Sequence, residues 1–211
     1  MNKSIKSFID FYKKAEKLKS TTRHSWVANS SRQESVAEHS WMLCLLAMLL
    51  SDKLDKKVDL LKVMKMATVH DLAESVTGDI PTHEVSVRQK NKYKHERKAF
   101  KGLVAGLPKQ KAKEIISLWD EFEKNETEEA KFANSLDKME AEMQHNLHIN
   151  KWVKGDFDVT PYYKDHLFNF DSFMRDFKDE VNVQLMKNLI DAGVGRRIDK
   201  KYLDKYKKKN N

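Results

Sequence analysis

Apolar residues return every three or four positions along stretches too long for strands, and little interrupts them. The clearest stretch opens at Thr127 with Glu128 and Glu129, then carries Phe132, Leu136, Met139, Met143 and Leu147. One face of a helix is the regular backbone that aligns this spacing. Only three prolines and six glycines occur in 211 residues, so few positions break a helix once it has begun. The expected architecture is an all-α bundle, with any site built between facing helices.

The same period predicts a first helix over 5–17, with Ile5, Phe8, Ile9 and Tyr12 on one face. A polar connection over 20–33 follows. Ser35 stands three residues before Glu38, a capping-box pattern that opens a helix carrying His39 and running to about Leu54. Asp59 is the expected N-cap of a helix with Leu60, Leu61, Met64 and Ala67 inward, ending near Glu74 before the loop marked by Gly78 and Pro81. A charged helix over 84–103 and another from Pro108 to about Glu123 are expected next, and then the helix opened by Thr127. A loop over 155–161 and a long helix over 162–190 complete the pattern. With no repeat or long linker, the expectation is one domain over 1–211: a core of about 5–150, a helical extension of about 162–192 and a solvated basic tail over 196–211.

Composition excludes some classes. A single cysteine, Cys44, rules out an internal disulfide framework and fits a reducing compartment. The N-terminus lacks the continuous apolar region of a signal peptide, and the run from Trp41 to Leu50 is too short to span a bilayer. A cytoplasmic protein with no membrane partner is expected. The net charge of +8 owes much to the C-terminal tail, so nucleic acid is not the expected partner, whereas an anionic small molecule is compatible.

Four residues bear on chemistry: His39, the adjacent pair His70 and Asp71, and Asp137. Two imidazoles and two carboxylates can share a divalent cation, and a bound cation can activate water at neutral pH. Glu74 lies four residues after His70, on the same face of a continuous helix, where a carboxylate can orient that water. Asp137 sits between Leu136 and Met139, beside an apolar stripe where an unpaired carboxylate is costly. Spacing alone leaves two readings open, a metal site and ordinary core or surface polar residues.

The segments ESVAEHSW, VHDLAESVTGDIP and EAKFANSLDKMEAEMQ occur in this order within about residues 5–150. Together they resemble the HD-domain metal-dependent phosphohydrolases, in the branch of the bacterial 5'-deoxynucleotidases and the eukaryotic HD-domain-containing protein 2. The resemblance implies His39, His70, Asp71 and Asp137 as metal ligands and Glu74 as the water-orienting acid. It implies Asp79 as a substrate-side acid and Arg23 as a phosphate-binding residue, whose fork of donors suits a terminal phosphate. The bacterial members carry tryptophan directly after that arginine, where this chain has His24; His24 is the expected contact to phosphate or base, and deoxyribose preference is left open.

The activity implied is removal of the 5'-phosphate from (deoxy)nucleoside monophosphates, with Mn, Co, Fe, Zn or Mg as the divalent cation, by a homodimer. The alternatives are a deoxynucleoside triphosphate triphosphohydrolase and a non-catalytic nucleotide-binding protein. Arg32 and Glu34 can rim the site, and His83 lies near its loop. Arg88, Lys92, Lys94, Arg97 and Lys98 read as a solvated helix face, and His145 and His148 as structural or exposed.

Overall fold

The computed structural model describes residues 3–210. Its elements are α1 (Lys3–Ala15), β1 (Thr22–Trp26), β2 (Gln33–Ser35), α2 (Val36–Leu50), α3 (Leu60–Val69), α4 (Glu74–Thr77) and α5 (Val87–Lys90), followed by α6 (Lys92–Val104), α7 (Lys109–Lys124), α8 (Glu128–Asn146), α9 (Lys154–Val159), α10 (Ser172–Asp191) and α11 (Lys200–Asn210). The fold is all-α apart from one two-stranded hairpin. Among the described residues, no helix is long and apolar enough to cross a membrane.

Helix α8 is the hub, packed against α2, α3, α7 and α10. Its Phe132, Leu136 and Met139 are fully buried with Leu43 and Ala47 of α2 and Val63 and Met66 of α3. Local chemistry fixes where these helices begin. Ser35 and Glu38 form the reciprocal capping box, Asp59 accepts from the Lys62 amide, and Thr127 accepts from the Ala130 amide. Asn125, left-handed at φ 53°, ends α7.

Several expectations are corrected. The polar connection contains the hairpin, β1 antiparallel to β2 with Thr22 opposite Ser35 and Trp26 opposite Gln33. The register shifts between those pairs, because a bulge inserts extra residues in β1. Helix α3 ends at Val69 rather than near Glu74. The charged helix divides into α5, capped by Ser86, and α6. The expected 155–161 loop is largely α9, and the last long helix begins at Ser172, where Asp171 accepts from the Met174 amide.

The tail is not merely solvated. Ile198 is buried, and Tyr202, Leu203 and Tyr206 of α11 pack on a cluster of Trp152, Phe157, Tyr162, Leu185, Met186 and Leu189.

Candidate functional site

His39 stands in the first turns of α2, fully buried, and Asp137 lies midway along α8. His70 and Asp71 follow the last residue of α3. The chain there tightens into i→i+3 bonds, Leu72 N to Val69 O at 3.1 Å and Glu74 N to Asp71 O at 2.9 Å, before α4 starts at Glu74. His70 and Glu74 therefore do not share one continuous helix. The turn nonetheless leaves Asp71 and Glu74 lining one cavity, together with Asp137 from α8.

The imidazoles are oriented from behind. The Nδ1 of His70 lies 2.9 Å from the Ala67 carbonyl, and the Nδ1 of His39 meets the Glu140 carboxylate. Trp119 Nε1 donates to the His70 carbonyl at 3.0 Å, and the Phe122 ring packs 5.0 Å from the His70 ring. The opposite nitrogens, both Nε2, are buried without a hydrogen-bond partner. They face carboxylates: His70 Nε2 is 3.0 Å from Asp71 Oδ2, and His39 Nε2 is 3.3 Å from Asp137 Oδ1. An imidazole that donates from one nitrogen presents a lone pair at the other, which is the form a metal ligand takes. The structure thus brings His39, His70, Asp71 and Asp137 together as a donor set of two nitrogens and two carboxylates.

Cations surround this set. Arg23 Nη1 donates to Asp71 Oδ2 at 3.1 Å, and its Nε lies 3.7 Å from Glu34. Burial opposes the Arg23 charge, but Asp71, Asp79 and Asp137 hold the guanidinium protonated far above its ordinary range. Lys92 lies 3.4 Å from both Glu74 and Glu96, and Lys138 donates to Asp137 at 2.5 Å. Burial, reinforced by the Asp71 carboxylate, pushes the Glu74 carboxyl up to about 9; burial also raises Asp79. Burial and the neighbouring Glu140 carry Glu34 up to about 8. So many acids in one buried place call for positive charge beyond that of Arg23, Lys92 and Lys138.

His24, His83 and His145 line the same cavity, clustered around Asp156 of α9. His24 Nε2 lies 3.1 Å from the Asp156 carboxylate. Asp79 lines the same cavity. Arg32 turns outward and grips Glu38, and His148 Nε2 lies 2.8 Å from the Val27 carbonyl.

Sequence reasoning missed Glu140, Lys92, Lys138 and Asp156. Glu140 follows Asp137 by three residues, so helical spacing placed both on one face and could have found it. Lys92, expected on a solvated helix face, instead reaches inward to Glu74.

The HD domain family's sequence pattern matches residues 15–173. This chain belongs to the HD-domain family. A 5'-deoxynucleotidase HDDC2 of Dictyostelium discoideum is 29% identical over 88% of this HD-domain chain and 95% of its own length. The human 5'-deoxynucleotidase HDDC2 is 33% identical, over 66% of this chain and 67% of its own. Among solved structures, a protein of Magnetospirillum magnetotacticum described as a predicted metal-dependent phosphohydrolase superposes with a TM-score of 0.75 at 29% identity. That match covers 88% of this chain and 94% of the other.

Proposed function

We propose that this HD-domain chain is a metal-dependent 5'-nucleotidase that hydrolyses (deoxy)nucleoside monophosphates to nucleoside and orthophosphate. One observation carries the reading: two buried, unpartnered imidazole nitrogens, of His39 and His70, face the carboxylates of Asp71 and Asp137 beside the buried acid Glu74. Relatives named 5'-deoxynucleotidase support the substrate class.

His39, His70, Asp71 and Asp137 would hold the divalent cation, and a mixed nitrogen–oxygen set suits Mn, Co, Fe, Zn or Mg to differing degrees. When bound, that cation supplies positive charge for a phosphate oxygen and lowers the pKa of water. The charge of that cation, added to that of Lys92, would favour the ionised form of Glu74, which could then orient the attacking water and take its proton. Arg23 already reaches Asp71, so its fork lies where it can clamp the non-bridging oxygens. Asp79, which lines the same cavity, serves the sugar and leaving-group side, and His24, also in its lining, contacts phosphate or base. A homodimer belongs to this proposal through the family resemblance.

A phosphate-release screen tests it, across ribo- and deoxynucleoside monophosphates with each divalent ion, using Asp71→Ala as control. Orthophosphate from monophosphates, lost in the control, is expected. Triphosphate released from a deoxynucleoside triphosphate would instead establish the triphosphohydrolase, and nucleotide binding without turnover a non-catalytic binder.

A further inference from the structure

The second cluster in the cavity has the chemistry of a metal site in its own right. Asp156 is buried, and its Oδ2 accepts from the Val153 amide at 2.7 Å, at the start of α9. Three imidazole nitrogens approach its other oxygen, Oδ1: His24 Nε2 at 3.1 Å, His83 Nδ1 at 3.2 Å and His145 Nε2 at 3.4 Å. His24 Nε2 is equally close to Oδ2, at 3.1 Å, so one buried carboxylate is surrounded by three imidazoles and one backbone amide. His145 Nε2 is nonetheless buried without a hydrogen-bond partner.

Ligands about 2.0–2.1 Å from a tetrahedral ion stand about 3.3 Å from one another, close to the spacings seen here. The donor atoms of His24, His83 and Asp156 all lie within 4.8 Å of one another. The fold supplies each ligand from a different place: His24 from β1, His83 from the loop before α5, His145 from the end of α8 and Asp156 from α9.

Two features hold the cluster together. His145 stacks on Trp152 at 4.8 Å, and Trp152 Nε1 donates to the His145 carbonyl at 2.9 Å. At Gly155, next to Asp156, a Cβ would stand 3.0 Å from the Cβ and Cγ of His83, so a residue without a side chain lets His83 approach.

We infer that His24, His83 and Asp156, with His145 beside them, form a second divalent transition-metal site, separate from the His39, His70, Asp71 and Asp137 set. Three imidazoles and one carboxylate suit Zn²⁺, Co²⁺ or Ni²⁺ better than Mg²⁺ or Ca²⁺. The site does not depend on the phosphohydrolase reading, because it is defined by binding.

The test is Co²⁺ titration of metal-stripped full-length protein, followed by equilibrium dialysis and by the visible absorption of the bound ion. Wild type should take up two equivalents. Asp71→Asn should retain the second-site equivalent with its spectrum, and His24→Ala/His83→Ala should retain only the other. His83→Ala alone should weaken the second equivalent at least ten-fold, with circular dichroism confirming the fold of each variant. A single equivalent in wild type that Asp71→Asn abolishes would overturn the inference. So would two equivalents persisting unchanged in His24→Ala/His83→Ala.

Discussion

Glu140 engages Nδ1 of His39 while Nε2 of the same ring, buried and unpartnered, faces Asp137 Oδ1 at 3.3 Å. Asp137 and Glu140 lie three residues apart on α8, so one helix both supplies a proposed ligand and aims another. Burial and Arg23 work against a charged His39, yet Glu140 and Asp137 carry it up to about 9. The same acidic surroundings would welcome a cation. Glu140→Gln keeps an oxygen near Nδ1 but removes the charge that makes the imidazole a better donor. Metal affinity should fall about 10- to 100-fold, measured by competition with a chromophoric chelator. An unchanged affinity would reduce Glu140 to packing.

Glu74 is buried, lines the cavity with Asp71 and has Lys92 at 3.4 Å. It is not one of the four residues proposed to hold the metal. Glu74→Gln should therefore keep the metal while losing the proton acceptor. The expected drop in kcat is about 10²- to 10⁴-fold, read by phosphate release alongside metal analysis of the same sample. Retained turnover at full metal content would remove Glu74 from the proposed chemistry.

The helices α2, α3, α7 and α8 were legible because their caps and stripes are local: Ser35 with Glu38, Asp59, Pro108 and Thr127 each mark a start within four residues of the chain. The convergence of His39, His70, Asp71 and Asp137 was legible only through the ordered family segments, since no local rule joins residues on three elements. Other features depended on distant partners. The hairpin could not be read from 20–33 because its pairing lies across the turn, between Thr22 and Ser35. Asp156 falls in the stretch expected as a loop, and its surroundings come from His24, His83 and His145, which no local pattern joins to it. Lys92 misled for the opposite reason: it sits among lysines and arginines, and burial of Glu74 and Glu96 draws it inward.

Helix α11 covers one end of the cluster that supports α9. Tyr202 stacks on Tyr162 at 5.5 Å, and Lys205 pairs with Asp165 at 2.6 Å. Ending the chain at Asp199 uncovers Tyr162 and removes Tyr202, Leu203 and Tyr206 from the cluster that includes Phe157, the neighbour of Asp156. Losing three partly buried apolar contacts from Tyr202, Leu203 and Tyr206 should cost about 2–3 kcal/mol. For a domain of this size that corresponds to a fall in Tm of about 4–12 °C by calorimetry. A truncated chain melting at the wild-type temperature would show that α11 contributes no net stability.

The start of α2 sets the position of His39, and an acid controls that start. Glu38 Oε2 accepts the Ser35 amide at 2.9 Å, and Arg32 grips both carboxylate oxygens at 2.8 and 2.6 Å. The Arg32 bonds draw the Glu38 carboxyl down from 4.5 to about 2, against the opposing effect of burial and with help from Ser35. Because the folded value lies below the unfolded one, the stabilisation is fully present above about pH 4.5 and is lost as pH falls toward about 2. Glu38 is 43% exposed, so solvent screening limits the effect to about 1 kcal/mol or less. Glu38→Gln should thus be less stable than wild type by about 0.5–1 kcal/mol at neutral pH. Urea denaturation at about pH 7, 4.5 and 3 should show the two proteins converging as the acid range is entered. A gap that stays constant across those pH values would mean that the ionised carboxylate does not hold this cap.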